Sequence, residues 1–428
     1  MATDRTLAIV DNGAYTIKAG VVGEQDGQPR IVPNCLAKLK GGRAWLVADE
    51  LDRAHNYAGL YYRLPFEKGI LVDWDVERMV WERLFSSNVL KCEPTNTWLW
   101  LTEPCLNLPN VQAAYDQVIF EEFEFDGYSR QTGNCRPATT QTMKTMTMTI
   151  IIMMPVGTTS TSSSSSSSSI DDERDCVLVV DIGYSSTQAI PFLHGQMILN
   201  AIRRLNVGGK FLTNHLKEMI SFRQWNMMDE TYLVNQIKET CCYVSADLYA
   251  DLRICREDPR SNPIVQAYVL PDFVNTHQGY VKQVLWMNNE RFTVPEALFH
   301  PSDIGMPQAG LAELIHQAVQ ATPEALHALL YANIVVVGGS AQYPGLCDRL
   351  SAELRQLVPA DYAVRLAMPD EPATFAWQGM HDYVKRCSMS QMKEEMIVTR
   401  ADYQEEGASV HMRRRRRRCR LGTGTTSV

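Results

Sequence analysis

The 428-residue sequence lacks several features that would place it in a common functional class. No apolar run approaches the ~18 residues of a membrane-spanning helix, and no N-terminal signal peptide is visible. The 11 cysteines form no C-x-x-C pair, which argues against a zinc site or a disulfide framework and favours reduced thiols. The sequence also has no nucleophile elbow, no Walker lysine motif and no H-E-x-x-H. We therefore expect no membrane contact, and we assign no residue a catalytic role.

Two segments have a composition that does not suit a folded core. Residues 127–170 contain no Asp, Glu or Leu and end in eight consecutive serines, Ser162–Ser169. Such a stretch cannot bury enough apolar surface to offset the entropy cost of ordering it. It predicts a disordered low-complexity tract, which is either a true insertion or an error in the gene model. The arginine-rich tail, 408–428, is predicted to be disordered as well.

The charge is unevenly distributed along the chain. The net charge is −8, and residues 411–428 carry seven arginines and no acid, so removing them leaves −15 on the rest. An acidic body suits a basic partner such as a histone, and a basic tail suits nucleic acid or nuclear import. Both patterns are more commonly a matter of solubility, so charge alone does not choose between these interpretations.

The rest of the chain alternates strand and helix signals. Short apolar runs at 7–10, 177–180 and 334–337 predict buried strands, and helical spacing appears at 76–84, 111–120, 211–220, 232–252 and 346–357. This alternation predicts an α/β fold, and the length predicts two lobes. An internal echo supports two similar lobes, because the segment 8–13 (AIVDNG) resembles 178–183 (LVVDIG).

The two echoed segments predict a phosphate site. Asp11-Asn12-Gly13 is a tight-turn signal that tolerates positive φ, and such a turn directs backbone N–H groups at phosphate oxygens. Lys18 would add a positive charge there, and Asp11 and Asp181 on facing turns could hold the waters of a Mg²⁺ ion. Gly338-Gly339-Ser340 follows a strand and is expected to open a helix, whose N-terminus favours an anion. The alternative is a pair of ordinary hairpins with a surface lysine.

Several longer motifs resemble actin. They are DNGAYTIKAG at 11–20, YRLPFEKG at 62–69, NERF at 289–292, PEALF at 295–299, LYAN at 330–333 and YPG at 343–345. The resemblance implies an actin-like fold, in which duplicated ribonuclease H-like lobes surround a nucleotide cleft. It places the first lobe at 1–126 with an outer subdomain near 32–65, the second lobe at 171–375 with an outer subdomain near 207–306, and a return to the first lobe at 376–428. It also implies ATP or ADP with Mg²⁺ as a structural cofactor. The nucleotide-contacting set that we predict is Asp11, Asn12, Gly13, Ala14, Tyr15, Lys18, Asp181, Gly183, Tyr184, Ser185, Gly208, Lys238, Glu239, Gly338, Gly339, Ser340 and Tyr343.

Within that superfamily, the runs PNCLAK at 33–38 and YAGLYYRLPFEKG at 57–69 are most similar to the actin-related protein 6 family. This resemblance implies a monomeric, non-filamentous scaffold in a Swr-type remodelling complex, which exchanges a histone for its variant. The partners that it implies are other subunits of that complex and, through them, the nucleosome. It also implies a location in the nucleus, with the cytoplasm as a second location.

Departures from actin weaken the case for hydrolysis. Ala14 stands in place of an actin serine, Tyr184 and Ser185 replace an Asp-Gly pair, and Gln188 replaces a histidine beside the attacking water. On the adenine side an actin lysine corresponds to Ala373. A hydrolysing site must orient water in line with the terminal phosphate, so we expect nucleotide binding with weak or no hydrolysis. The alternatives left open are a genuine actin-like ATPase and a cytoskeletal polymer subunit.

Overall fold

The computed structural model describes residues 5–23, 27–53, 59–131, 176–270, 283–387, 392–393 and 396–407. These ranges contain nineteen strands, which in chain order are β1 Thr6–Asn12, β2 Thr16–Val21, β3 Arg30–Pro33, β4 Leu36–Leu39, β5 Leu46–Val47, β6 Leu60–Arg63, β7 Phe66–Glu67, β8 Ile70–Leu71, β9 Thr97–Thr102, β10 Gly127–Gln131, β11 Cys176–Ile182, β12 Thr187–Leu193, β13 Gln196–Met197, β14 Arg203–Leu205, β15 Gln266–Val269, β16 Val284–Met287, β17 Ile334–Val337, β18 Leu366–Ala367 and β19 Val398–Thr399.

The same ranges contain eleven α-helices. They are α1 Trp74–Phe85, α2 Pro109–Gln117, α3 Gly209–Arg223, α4 Thr231–Cys241, α5 Leu248–Glu257, α6 Glu290–Glu296, α7 Leu311–Gln320, α8 His327–Ala332, α9 Leu346–Leu357, α10 Phe375–Arg386 and α11 Arg400–Glu406.

Two six-stranded sheets share one strand order. In the first, β3, β2, β1, β9 and β10 lie side by side, and in the second, β13, β12, β11, β17 and β18 do. In both, the central strand has an antiparallel hairpin partner on one side and parallel partners on the other. The central strands are buried on both faces, which is why they read as continuous apolar runs. The predicted internal duplication is confirmed in the topology.

Most of the predicted helices form, with one clear error. Helices α1, α3 and α9 cover the predicted spans, and the span 111–120 becomes α2 followed by a π-helical turn at Val118–Glu122. The span 232–252, however, holds two helices rather than one. The chain is extended at Cys242, and the next two backbone amides, of Tyr243 and Val244, donate to Arg291 and Pro344 on neighbouring segments. These tertiary hydrogen bonds end α4 before the apolar periodicity does.

The first lobe buries both faces of its sheet. Helices α1 and α2 cover one face, with Trp81, Tyr115 and Phe120 in its core. Helix α10 returns to the other face, where Trp377 is 1% exposed and its indole N–H donates to the carbonyl of Ile9 at 3.1 Å. Strand β19 then pairs with β10 at the sheet edge. The last described elements therefore belong to the first lobe.

The first residues of the predicted disordered tract are ordered. Strand β10, Gly127–Gln131, runs parallel to β9, and Tyr128 is fully buried. A side chain at Gly127 would meet Trp98 and Ile397 at less than 3 Å, so glycine is required for this close packing. The prediction was wrong at its boundary because these residues are buried by segments that are distant in sequence. Residues 132–170 of the tract and the tail at 408–428 lie outside the described residues.

Two findings concern the helices and the cysteines of the described ranges. None of the helices there is long and apolar enough to cross a membrane. None of the nine cysteines in those ranges forms a disulfide.

Candidate functional site

The two predicted turns face each other at the ends of the central strands. The first hairpin closes with Asn12 opposite Ile17, and the second closes with Ile182 opposite Thr187. Asp11 and Asp181 lie one residue before these closing pairs. Burial raises the pKa of the Asp181 carboxyl to about 6, and the negative charge of Asp11 adds to the shift, while Lys18 opposes it. The first acidic turn therefore acts electrostatically on the second, as the echo in the sequence predicts.

Lys18 is not the surface lysine of the alternative interpretation. It lies opposite Asp11 in the hairpin, its ammonium is 3.9 Å from the Asp11 carboxylate, and its side chain is 13% exposed. The other Asp11 oxygen accepts a hydrogen bond from the Thr102 hydroxyl at 2.8 Å. The site thus places two carboxylates and one ammonium between the lobes, and of these the Asp11–Lys18 pair has a fixed geometry.

The first turn differs from its prediction in two ways. Neither Asn12 nor Gly13 has positive φ; glycine is needed because a Cβ at Gly13 would lie 2.5 Å from the carbonyl oxygen of Thr16. In addition, the Asn12 side chain points away from the cleft. Its amide donates to the buried Glu77 carboxylate at 2.6 Å. Asn12 therefore holds the turn against helix α1, and a contact of Asn12 with a nucleotide stays a prediction.

Tyr15 and Tyr184, one from each turn, stack on each other. Their ring centroids are 4.6 Å apart with an interplanar angle of 22°. The Tyr15 hydroxyl accepts a hydrogen bond from the Asn235 amide at 2.8 Å. Ala14 packs against the core of the first lobe, and Ser185 lies near Gly69. Both tyrosines were predicted to contact a nucleotide, and in the structure they also contact each other.

Helix α3 begins directly beneath the second turn. The amides of Gly209 and Lys210 donate to the carbonyls of Gly183 and Tyr184 at 3.0 and 2.8 Å. A Cβ at Gly208 would approach three backbone atoms of that turn to within 2.8 Å or less. Gly208 and Gly183 therefore fix the second turn onto the helix. Two amides at the start of the helix serve this packing rather than an anion.

The buried ammonium of Lys238 donates all of its hydrogen bonds within the protein. Lys238 is 3% exposed, and its ammonium donates to the Gly209 carbonyl, the Thr213 hydroxyl and the Asn235 amide oxygen at 2.8–3.1 Å. An ammonium has three donors, and all three are used within the protein, so a direct contact of Lys238 with a nucleotide stays a prediction. Burial lowers the pKa of Lys238 to about 8. Glu239 on the next position is exposed and accepts a hydrogen bond from Asn235 at 2.7 Å.

The third glycine segment has room for a ligand at one position. Gly338 has φ of +98°, and a Cβ there would lie 2.7 Å from an Asp181 carboxylate oxygen, so only glycine fits. At Gly339 a Cβ would meet nothing within 4 Å. The segment opens a 3₁₀ turn, Gly339–Gln342, with Ser340 inside it, and the next α-helix begins only at Leu346. The predicted helix N-terminus at this segment is therefore absent. Tyr343 follows, and its buried hydroxyl has no hydrogen-bond partner.

Comparison with known proteins identifies this arrangement. The profile of the family described as Actin matches residues 3–416. The chain belongs to the actin family. The Actin-like protein ARP6 of Cryptococcus neoformans var. neoformans serotype D is 40% identical and aligns with 97% of this chain and 85% of its own length. Actin-related protein 6 of Drosophila melanogaster is 36% identical over 94% of this chain and 97% of its own. Actin-related protein 6 of Neurospora crassa is 37% identical over 95% of this chain and 94% of its own length. The predicted actin-like fold and the predicted actin-related protein 6 family are both confirmed.

Part of this actin-family cleft is lined by residues that suit a phosphate-bearing ligand. The open position at Gly339, the partnerless Tyr343 hydroxyl and the ammonium of Lys18 suit a ligand that carries phosphates. The Tyr15–Tyr184 stack fills the gap between the turns. Within the described residues no group of three or more His, Cys, Asp and Glu side chains could hold a metal ion. A magnesium ion held through water by Asp11 and Asp181 therefore stays a prediction.

Two residues of the site were not predicted from the sequence. Asn235 is 2% exposed and bonds to Tyr15, Thr213, Lys238 and Glu239. Its position on α4, three and four residues before Lys238 and Glu239, places all three on one helix face, and that spacing is the signal that could have revealed it. Thr102, whose hydroxyl donates to Asp11, is the last residue of the apolar strand β9 and gave no such signal.

Proposed function

We propose that this member of the actin-related protein 6 family is a non-filamentous scaffold subunit of a nuclear chromatin-remodelling complex that exchanges a histone for its variant. The similarity over nearly the full length to proteins named actin-related protein 6 carries the proposal. The −15 charge outside the arginine tail supports a role beside basic partners such as histones. The partners in the proposal are other subunits of the complex and, through them, the nucleosome.

The cleft supports a structural role for an adenine nucleotide in this proposal. A ligand that touches both lobes stabilises the folded chain by mass action. Lys18 and Gly339 are the residues that would hold its phosphates, and Asp11 and Asp181 would hold a hydrated Mg²⁺. The bound group would supply negative charge opposite Lys18. We infer weak or no hydrolysis, because Tyr184 is stacked on Tyr15 at the turn where actin has an Asp-Gly pair.

The proposal is tested by affinity purification of the full chain from nuclear and cytoplasmic extracts in parallel. Mass spectrometry identifies the partners, and chromatography of the denatured eluate identifies the bound nucleotide. We expect subunits of a remodelling complex and histones to co-purify in stoichiometric amounts. Recovery of the chain from the cytoplasmic fraction alone, with cytoskeletal proteins, would contradict the scaffold role.

The alternative of an actin-like ATPase is separated by single-turnover phosphate release. The scaffold proposal expects a rate no greater than that of ATP in buffer, whereas a genuine ATPase would release phosphate well above it. The polymer alternative is separated by sedimentation after Mg-ATP is added, with muscle-type actin as a positive control. A pellet that contains most of the chain would contradict a monomeric scaffold.

A further inference from the structure

The Tyr15 and Tyr184 rings lie where the two turns come closest to each other. At a centroid separation of 4.6 Å and an angle of 22° the rings are in direct stacking contact, which is at the short end of the range for aromatic pairs. No third group fits between them. A phosphate that touched both turns at this point would have to separate the rings.

A hydrogen bond from Asn235 on helix α4 holds the Tyr15 ring of the stack in place. The Asn235 amide oxygen accepts from the Lys238 ammonium at 2.8 Å and from Thr213 at 2.9 Å. Since an ammonium only donates, this fixes the amide orientation and directs its NH₂ group at the Tyr15 hydroxyl, 2.8 Å away. A first-lobe ring is thus anchored on a second-lobe helix, so rotating Tyr15 away would break a partly buried hydrogen bond as well as the stack.

Other direct contacts join the lobes farther along the cleft. The Gly59 amide donates to the Glu230 carboxylate at 2.9 Å, and Tyr62 meets Tyr232 edge-on at 6.1 Å. Arg204 donates to the carbonyl of Lys68 at 2.6 Å. The stack is therefore one of several protein contacts that close the cleft, so its closure does not depend on a phosphate bridge.

The charges around the stack also disfavour an additional phosphate. Asp11 and Asp181 precede the two turns that carry the tyrosines and interact electrostatically with each other, and one ammonium, that of Lys18, lies beside Asp11 at 3.9 Å. Unless a Mg²⁺ ion offsets it, each further phosphate adds negative charge near these two carboxylates, and like charges at such short range repel.

We propose that the Tyr15–Tyr184 stack occupies the place of a terminal phosphate between the turns, so that the cleft accepts a nucleoside diphosphate in preference to the triphosphate. This inference rests on the proposed nucleotide ligand and narrows it to one class. In this arrangement the aromatic pair joins the two turns, and the diphosphate lies on the side of Gly339 and Tyr343.

Isothermal titration of the full chain with Mg-ADP and Mg-ATP tests the inference. Admitting a terminal phosphate costs the stack and the Tyr15–Asn235 bond, so we expect ADP to bind at least about tenfold more tightly than ATP. Tyr184→Ala should bring the two affinities to within about threefold, mainly through a gain for ATP. Tyr15→Ala, which removes the opposite ring, should do the same and serves if the first variant fails to fold.

Matched controls separate the stack from general effects of aromatic loss. Tyr362→Ala removes a ring stacked on Tyr331 within the second lobe and should leave the ratio unchanged. Tyr184→Phe keeps the ring and should keep the preference. Equal or tighter ATP binding by the unmodified chain would overturn the inference, and so would an unchanged ratio in both alanine variants or the absence of any nucleotide binding. The scaffold role is decided separately by its co-purifying partners.

Discussion

Arg130 provides a sharp test of whether β10 belongs to the folded protein. Its guanidinium donates to the Asp116 carboxylate and the Gln112 carbonyl at 2.8 Å each, and its Nε is 3.5 Å from a Glu103 oxygen. The side chain of Arg130 is 6% exposed, that of Asp116 is 2% exposed and that of Glu103 is 0% exposed. Arg130→Met keeps the length and the apolar stem of the side chain and removes the positive charge that faces both carboxylates.

The expected loss follows from that geometry. Removing one partner of a buried charge cluster costs about 3–5 kcal/mol, because the opposite charge remains desolvated. Burial already raises the pKa of Asp116 to about 7 even though Arg130 lowers it. Without Arg130 this pKa rises further, and the carboxyl takes up a proton instead of remaining charged. The loss should therefore be near 3 kcal/mol at pH 7 and should grow by up to about 1.4 kcal/mol per pH unit above it.

Urea unfolding followed by tryptophan fluorescence at pH 6, 7 and 8 measures the effect. A loss of 3 kcal/mol shifts the midpoint by about 1 M when the m-value is about 3 kcal/mol/M. Arg78→Met is the matched control, because Arg78 pairs with Glu122 at the surface, where both side chains are more than one-third exposed. Such a pair contributes about 0–1 kcal/mol. If Arg130→Met cost no more than Arg78→Met, or if the loss did not grow with pH, the packing derived for β10 would be refuted.

Two further substitutions test the turns and their support. Burial raises the pKa of Glu77 from 4.5 to about 7, so its ionisation lowers the stability of the unmodified chain as the pH rises through that window. Glu77→Gln should remove up to about 3 kcal/mol of this loss at pH 8, about 1 kcal/mol near pH 5 and little near pH 4, whereas Glu82→Gln on the exposed face of α1 should give a flat difference in thermal melts. Gly338→Ala should destabilise by at least ~2 kcal/mol, since its Cβ would lie 2.5 Å from the Ile182 carbonyl oxygen. Gly339→Ala, with open space around it, should be near neutral in the same melts, and equal losses would contradict the reasoning.

The strands that could be predicted from the sequence are those whose own residues show by their apolar character that the strand is buried. The runs 7–10, 177–180 and 334–337 are apolar at every position because parallel neighbours and helices cover both faces. Strand β10 carries Ser129, Arg130 and Gln131, which read as a loop. Its place in the sheet depends on Asp116 and Glu103, which neutralise Arg130 from other elements. A local pattern cannot contain that information.

The site shows the same division between backbone and side chains. The positions of both acidic turns follow from the repeated strand–Asp–x–Gly pattern, and the structure brings them together. The directions of the Asn12 and Lys238 side chains do not follow, because they are set by partners on other elements, the Glu77 carboxylate for Asn12 and the Gly209 carbonyl for Lys238. Likewise, the stack of Tyr15 on Tyr184 joins residues on different lobes, and it exists only once both sheets are placed.

The duplicated backbone explains how a turn of the kind that binds phosphate can instead form a direct contact between the lobes. Both hairpins enclose four residues between their closing pairs, and Asp11 lies opposite Lys18 just as Asp181 lies opposite Gln188. The repeat has therefore kept its backbone geometry, while only the first copy retains the ammonium. Because the turns face each other, one tyrosine in each is enough to bring two rings into contact. The fold was predictable because it depends on the repeated strands, whereas the chemistry of the cleft depends on these few turn side chains and can change without altering the fold.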